Sequence, residues 1–317
     1  NILQTWEYGE AKVANSSWSV ERVYFQQTGS ILGIAQVMIQ KIPLLSSGLV
    51  WINRGPLWRL DGNDHANLSE MLSLLRSHYA DKRGNYVLIA PTEFESADFA
   101  SVLTDSRFKK SQTPGWASAV LDLSNPIEEL RQGLNQKWRN SLNKAERSAC
   151  EVKIASEGAV FDDFLRGHTE FHSTKGLTTN LDVEFINCLK NRSVNNCSLD
   201  AFVAYHEGQP IGSVLIASYG DTCEYLAGNS TDQGRRLNSG QLLLWRAIEL
   251  MKQKGQAYFD LGGMDQELTP EGIFRFKKGL GGEPYRLVSE IEPNKTGILA
   301  GLLRQRIKYV RSKSLNL

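Results

Sequence analysis

Cysteine is scarce in this chain: four in 317 residues, Cys150, Cys188, Cys197 and Cys223. None pairs at CxxC spacing, and the density is far below that of a secreted disulfide scaffold, so reduced thiols in a cytoplasm are expected. Long apolar runs are missing too. No stretch reaches the roughly 20 residues that span a bilayer as a helix. The opening Asn1-Ile-Leu-Gln4 has neither the basic flank nor the apolar core of a signal peptide. An excess of one charge is also lacking, because 36 Lys and Arg stand against 35 Asp and Glu. That balance excludes a protein held to nucleic acid or lipid by bulk charge and leaves only local basic patches. Histidine is limited to five. Two of these, His168 and His172, share a helical face, but Glu170 is not placed as in a zinc-protease helix and no third ligand is evident, so no metal is expected and both read as packing or rim residues.

The remaining composition is that of an ordinary folded protein, 41% hydrophobic and 22% charged. A chain of this length exceeds what one core usually supports, which predicts two domains. An internal repeat agrees. Val23-Tyr-Phe-Gln-Gln-Thr-Gly-Ser-Ile-Leu-Gly33 and Phe202-Val-Ala-Tyr-His-Glu-Gly-Gln-Pro-Ile-Gly212 both read strand, tight turn, strand, and run on into apolar strands at 34–39 and 214–217. Each copy then has an amphipathic helix closed by a Gly-led strand, Gly84-Asn-Tyr-Val-Leu-Ile89 and Gly255-Gln-Ala-Tyr-Phe-Asp260. A third landmark, Phe108-Lys-Lys-Ser111 beside Phe276-Lys-Lys-Gly279, recurs at a similar offset. Strands interleaved with helices of this length predict an α/β protein of two mixed-sheet lobes, residues 1–149 and 150–294.

Between the lobes, 125–146 reads as one helix. Pro126 stands at its start, Ile127, Leu130, Leu134, Trp138 and Leu142 recur at helical spacing, and the helix is expected to bridge the lobes. Its other face carries Lys137, Arg139, Lys144 and Arg147, a cluster suited either to phosphates or simply to water. The last segment, 295–317, predicts a helix with the apolar stripe Ile298, Leu302, Ile307 and Val310. Its cations are Lys295, Arg304, Arg306, Lys308, Arg311 and Lys313, and no acidic residue follows Glu292, so its free side suits tRNA, anionic lipid or only water.

Three segments together carry a family resemblance over most of the chain. They are Gln4-Thr-Trp-Glu-Tyr-Gly-Glu-Ala-Lys12, Lys137-Trp-Arg-Asn-Ser-Leu-Asn-Lys-Ala-Glu-Arg147, and Tyr258-Phe-Asp-Leu-Gly-Gly263 with Gly272-Ile-Phe-Arg-Phe-Lys-Lys-Gly-Leu-Gly-Gly282. The chain resembles the FemABX aminoacyltransferases that build peptidoglycan bridges, in a minimal form without the coiled-coil arm of larger members. That resemblance implies tandem GNAT-like lobes, with the C-terminal helix packing back on the first. It also implies transfer of an amino acid from aminoacyl-tRNA to an amine of a nucleotide- or lipid-linked muramyl peptide, with peripheral contact at the inner membrane face and no bound cofactor.

Within the resemblance, Lys277 of the Phe276-Lys277 pair falls at the reacting centre, where an ammonium stabilises negative charge on a carbonyl or leaving oxygen. Its bland alternative is a cap on a helix end. Lys12 matches a lysine that contacts the precursor's diphosphate, against the alternative of a surface lysine. Trp51 and Arg54, in the 51–58 segment, match a turn beside the acceptor groove, Lys175 matches a basic turn on the substrate side, and Tyr225 is a further substrate-side candidate. Lys137, Arg139, Lys144 and Arg304 are candidate tRNA contacts. Two departures matter. Ala90-Pro91 stands where the family has Asp-Pro, removing a carboxylate that would hold the acceptor. Residues 233–240 loosely resemble a GNAT pyrophosphate loop, whose amides cradle coenzyme A at a helix N-terminus. A CoA-dependent N-acyltransferase acting on an amino sugar therefore stays open.

Overall fold

The computed structural model describes residues 1–42, 47–59, 65–176, 181–193, 197–295 and 297–314. The strands are β1 Ser19–Gln27, β2 Ser30–Lys41, β3 Gly48–Asn53, β4 Tyr86–Ala90, β5 Phe108–Lys110, β6 Ala117–Asp122, β7 Glu151–Ala155, β8 Cys197–His206, β9 Gln209–Tyr219, β10 Thr222–Ser230, β11 Tyr258–Asp260, β12 Glu283–Arg286 and β13 Ile291–Pro293. The helices are α1 Trp6–Ala14, α2 His65–Leu75, α3 Ala97–Ser106, α4 Ile127–Gly133, α5 Gln136–Glu146, α6 Ala159–Lys175, α7 Val183–Arg192, α8 Asp232–Arg236, α9 Ser239–Gln253, α10 Glu271–Lys278 and α11 Ile298–Ser314.

The repeat read from the sequence is visible in the hairpins. Thr28-Gly29 joins β1 to β2 and Glu207-Gly208 joins β8 to β9, all four residues having positive φ. Two-residue loops of that conformation match the right-handed twist of the flanking strands. Beyond the hairpins the two sheets repeat their order, β1-β2-β3-β4-β13-β5 and β12-β6-β11-β10-β9-β8-β7 read in reverse, with β7 as an addition. β3 and β4 pair parallel, as do β10 and β11, while the hairpins and β13 pair antiparallel, so both sheets are mixed.

The compact units divide the chain at 116/117 and 285/286, not at 149/150 and 294/295. The reason lies in strand pairing. β6 follows β5 in the chain but pairs with β11 in the second sheet, and β13 follows β12 but pairs with β4 and β5 in the first. Each sheet thus takes one strand from the stretch of chain that a linear reading assigns to the other. The expected single helix over 125–146 is two, broken where Leu134 turns extended and Asn135 accepts a hydrogen bond from the Lys137 amide as the cap of α5. Both helices belong to the second unit, where Leu130, Leu134, Trp138 and Leu142 join the core with Phe202, Trp245 and Phe259. The third landmark of the repeat also differs, because Phe108 opens the strand β5 whereas Phe276 lies in the helix α10.

In the first unit α11 packs on β3 and β4. Ala300 is buried with Leu49, Tyr86 and Leu88, and Leu303 and Ile307 flank it. The expected stripe is therefore rotated: small Ala300 lets the helix approach closely, and Ile298 and Leu302 stay exposed. The side chain of Val310 lies outside the described residues, as do those of Lys308, Arg311 and Lys313.

Candidate functional site

The second unit holds a cluster of buried ionisable groups, Glu224, Asp260 and Lys277. α10 starts after Pro270, has Glu271 in its first turn and Lys277 and Lys278 in its last, an order that suits the helix dipole. Its C-terminal turn sends Lys277 inward, where only 7% of the residue is exposed. The ammonium donates to the Gly263 carbonyl at 2.9 Å and lies 5.0 Å from the centre of the Tyr225 ring. Lys278, on the outside, sits 5.8 Å from the Phe274 ring. A helix-capping role for Lys277 is not what the geometry displays, since its nitrogen bonds the 263 carbonyl of a different element.

Burial pulls Lys277 down from the ordinary 10.5 to about 8, opposed by the charges of Asp260 and Glu224. Tyr225 is pushed up to about 12 by burial and reads as a neutral phenol. Asp260 closes a small network. Its Oδ1 accepts from Ser118 Oγ at 2.5 Å and from the Gly262 amide at 2.8 Å, and its Oδ2 accepts from Tyr285 at 2.6 Å. Glu224 accepts from the Tyr219 hydroxyl at 2.8 Å.

Backbone departures frame this cluster. The β10–β11 ladder ends at Glu224 and Asp260, although β10 continues to Ser230. The β9–β10 register shifts between Tyr225 and Ala227, a bulge of the kind found beside active sites. Gly262 has φ +68, and a Cβ there would stand 2.5 Å from the Tyr225 carbonyl oxygen, so only glycine fits the turn that brings Gly263 under Lys277. On the outer side of α10, a cleft of about 500 Å³ is lined by Asn135, Lys137, Trp138, Gln241, Phe276 and Lys278, among others. Phe276 and Trp138 lie tilted with ring centres 6.0 Å apart.

Other sequence candidates fall into separate places. Lys137 and Lys144 are exposed on α5, while Arg139 donates to the Gln132 carbonyl at 3.1 Å. Arg304 is not a free cation for tRNA: it pairs with Glu292, whose side chain is 1% exposed. Lys12 and Trp51 line one small crevice of the first unit with Tyr8 and Trp18, and Trp51 also packs against the α11 cluster. Arg54, in the same unit, is buried with positive φ and places its guanidinium 4.7 Å over the Trp116 ring. The side chain of Lys175, the last residue of α6, lies outside the described residues. His168 is a packing residue, bonded through Nε2 to the Leu181 carbonyl at 2.7 Å and lowered in pKa by burial.

Comparison with known proteins decides the class. Residues 132–278 match the family model described as an acetyltransferase (GNAT) domain. The chain is an α/β acyltransferase with tandem GNAT folds. No curated protein sequence matches it. Among solved structures, FemX superposes with TM-score 0.80 at 16% identity, over 96% of this chain and 94% of that one. The C-terminal domain of a putative lysylphosphatidylglycerol synthetase from Agrobacterium fabrum gives 0.60 at 12% identity, over 95% and 90%. A tandem GNAT protein from the clavulanic acid biosynthesis pathway gives 0.54 at 13%, over 89% and 85%. At these identities the likeness concerns the fold. No described helix of this acyltransferase is long and apolar enough to cross a membrane.

Sequence reasoning named Lys277, Tyr225 and Phe276 but missed Asp260, Glu224, Ser118 and Tyr285. Asp260 left a local signal, an Asp two residues before a glycine that needs positive φ. Ser118 and Tyr285 left none, since they reach Asp260 from distant points of the chain.

Proposed function

We propose that this acyltransferase moves an amino acid from aminoacyl-tRNA to an amine of a peptidoglycan precursor peptide or a related cell-envelope acceptor. The reading is carried by Lys277, a buried ammonium beside the point where β10 and β11 part. In such a transfer the acceptor amine attacks the ester carbonyl, the C–N bond forms as the bond to the ribose oxygen breaks, and the proton lost by the amine ends on that oxygen. Lys277 would stabilise negative charge on the carbonyl or ribose oxygen, where a preorganised cation in a dry site is worth far more than in water. The cleft outside α10, with Lys137, Lys278 and the half-buried Phe276 ring, suits the phosphates and bases of a single-stranded tRNA end.

A coenzyme A donor fits less well. Within 233–240, the Gly234, Arg235, Leu237 and Asn238 amides all bond inside the loop, to Thr231 Oγ1 and to the Thr231, Gln233 and Arg235 carbonyls. Those four amides are then taken, which leaves fewer in this segment to cradle a diphosphate. The resemblance implies a nucleotide- or lipid-linked muramyl peptide, with Lys12 toward its diphosphate, Trp51 and Arg54 beside the acceptor groove and Lys175 on the substrate side; exposed Ile298 and Leu302 on basic α11 suit peripheral contact with a lipid surface. Incubating the enzyme with a pool of charged tRNAs and muramyl-peptide precursors, and weighing the products, tests the whole reading. An aminoacyl mass increment is expected. Micromolar coenzyme A binding, with acyl-CoA turnover and no aminoacyl product, would overturn it.

A further inference from the structure

Asp260 is 6% exposed and lies where three pieces of the second unit meet: β6 through Ser118, the 260–263 turn through the Gly262 amide, and β12 through Tyr285. A carboxylate has only acceptors, and these three donors match it. Ser118 Oγ is also 2.7 Å from the Gly262 carbonyl oxygen, so its one proton is shared between the Asp260 carboxylate and the backbone of the turn. The next carbonyl along, that of Gly263, is the one that receives the Lys277 ammonium. We propose that Asp260 is a positioning residue for Lys277: it fixes the turn on which the ammonium rests and sets a buried negative charge beside it.

The inference rests on Lys277 acting at the reacting centre. Two opposing effects then decide how that lysine works. Burial favours the neutral amine, which has no charge to give an oxyanion, and the negative charges of Asp260 and Glu224 favour the cation. The groups that face Lys277 are Asp260 on β11, Glu224 and Tyr225 on β10 and, through these carboxylates, Tyr285 and Tyr219. The balance leaves Lys277 near 8, so about nine in ten molecules carry the charge at pH 7. Without the Asp260 charge the midpoint falls, and a smaller share of the molecules carries the cation at pH 7.

The test is Asp260→Asn, close in shape and able to keep most of the hydrogen bonds, with the Lys277 εCH₂ resonance titrated by NMR and the rate followed from pH 6 to 9. In folded Asp260→Asn the midpoint is expected to fall below that of the wild type, with kcat down several-fold at pH 7, a smaller deficit at pH 6, and an unchanged donor KM. A wild-type midpoint, or a deficit equal at every pH, would overturn the charge role. Ser118→Ala leaves the charge in place and loosens the turn, so it should lower kcat evenly across pH without moving the midpoint. A wild-type kcat in this variant would overturn the positioning role, even if Asp260→Asn failed to fold. The NMR arm needs no donor. A shifted midpoint in a protein that uses no aminoacyl-tRNA would count against the proposed function alone, whereas an unmoved midpoint with intact transfer would count against Asp260 alone.

Discussion

The third and fourth strands run parallel in both sheets, but for different lengths. In the first unit β3 and β4 stay paired from Leu49 with Tyr86 to Asn53 with Ala90, the end of both strands. In the second, β10 has nine residues and leaves β11 after Glu224. The first unit shows no register shift between β2 and β3, while the second has its bulge at the matching place, between β9 and β10. A ladder left unfinished costs backbone hydrogen bonds that a purely structural sheet would keep. The second unit uses the opening to seat a turn that needs glycine, a buried lysine and two carboxylates. The first keeps its ladder whole, and an ion pair of partly exposed Arg304 with buried Glu292 ties α11 to the sheet. On the proposed reading, the copy with the opened ladder holds the reacting centre and the copy with the complete ladder holds residues of the acceptor side.

If that division is right, changes in the two units should part into lost rate and lost stability. The largest effect is expected from Lys277→Met, which keeps volume and removes charge: a fall in kcat of about 10² to 10³, equivalent to about 3–4 kcal/mol. Undiminished turnover would erase the distinction between the units. The same variant has a pH signature in stability. Because burial lowers Lys277 from 10.5 to about 8 in the folded chain, the unfolded chain binds the extra proton between those values. Wild type should therefore gain stability relative to Lys277→Met as pH rises from about 8 to 10.5, by up to about 3 kcal/mol, and show the full cost of the buried charge below 8. Calorimetry on both proteins at pH 7 and 10 checks the sign.

A smaller effect of opposite kind is expected in the first unit. Arg304→Ala leaves Glu292 buried with, among the described residues, the Tyr86 hydroxyl donating to it at 2.6 Å, which should cost about 1–3 kcal/mol and several degrees in Tm. Donor KM should not change. Pairing Arg304→Ala with Glu292→Gln should recover part of the loss, since the stranded charge is then gone. A raised donor KM with an unchanged Tm would return Arg304 to the tRNA contacts that the sequence suggested.

Much of the fold was legible because its signals are local. The positive-φ loops Thr28-Gly29 and Glu207-Gly208, the Gly-led strands and the apolar spacing of 125–146 all lie within a few residues of what they predict. The strand exchange was not legible. Nothing near β6 or β13 marks which sheet each joins, since Ala117–Asp122 and Ile291–Pro293 are short apolar-rich strands that either sheet would accept on pattern alone. The break at Leu134-Asn135 was hidden for a similar reason: the apolar spacing continues across it, and only the Asn135 cap gives it away. In the site, Lys277 was readable because its neighbours in sequence carry the resemblance. Its counter-charges sit on other strands and became visible only when the sheet brought them together.

The smallest expected effect separates two cations on one helix. Lys137 lies in the first turn of α5, where no acidic residue is present and the helix dipole disfavours a positive charge by roughly 0.3–1 kcal/mol. Lys144 lies in the last turn, where the dipole favours it. Lys137→Ala should accordingly leave stability unchanged or raise it by a few tenths of a kcal/mol, and Lys144→Ala should lower it by a similar amount. Lys137 lines the cleft beside Phe276, and Lys144 is not among the residues lining it. If Lys137 meets a phosphate of the donor's single-stranded end, its removal should reduce the slope of log K against log salt by about 0.7, weakening donor binding at low salt and sparing kcat. Lys144→Ala should leave that slope nearly as it was. Binding of charged tRNA measured at several salt concentrations resolves the two: equal slopes for wild type and Lys137→Ala would make Lys137 a solvated surface lysine, and a loss confined to Lys144→Ala would move the nucleic acid to the other end of the helix.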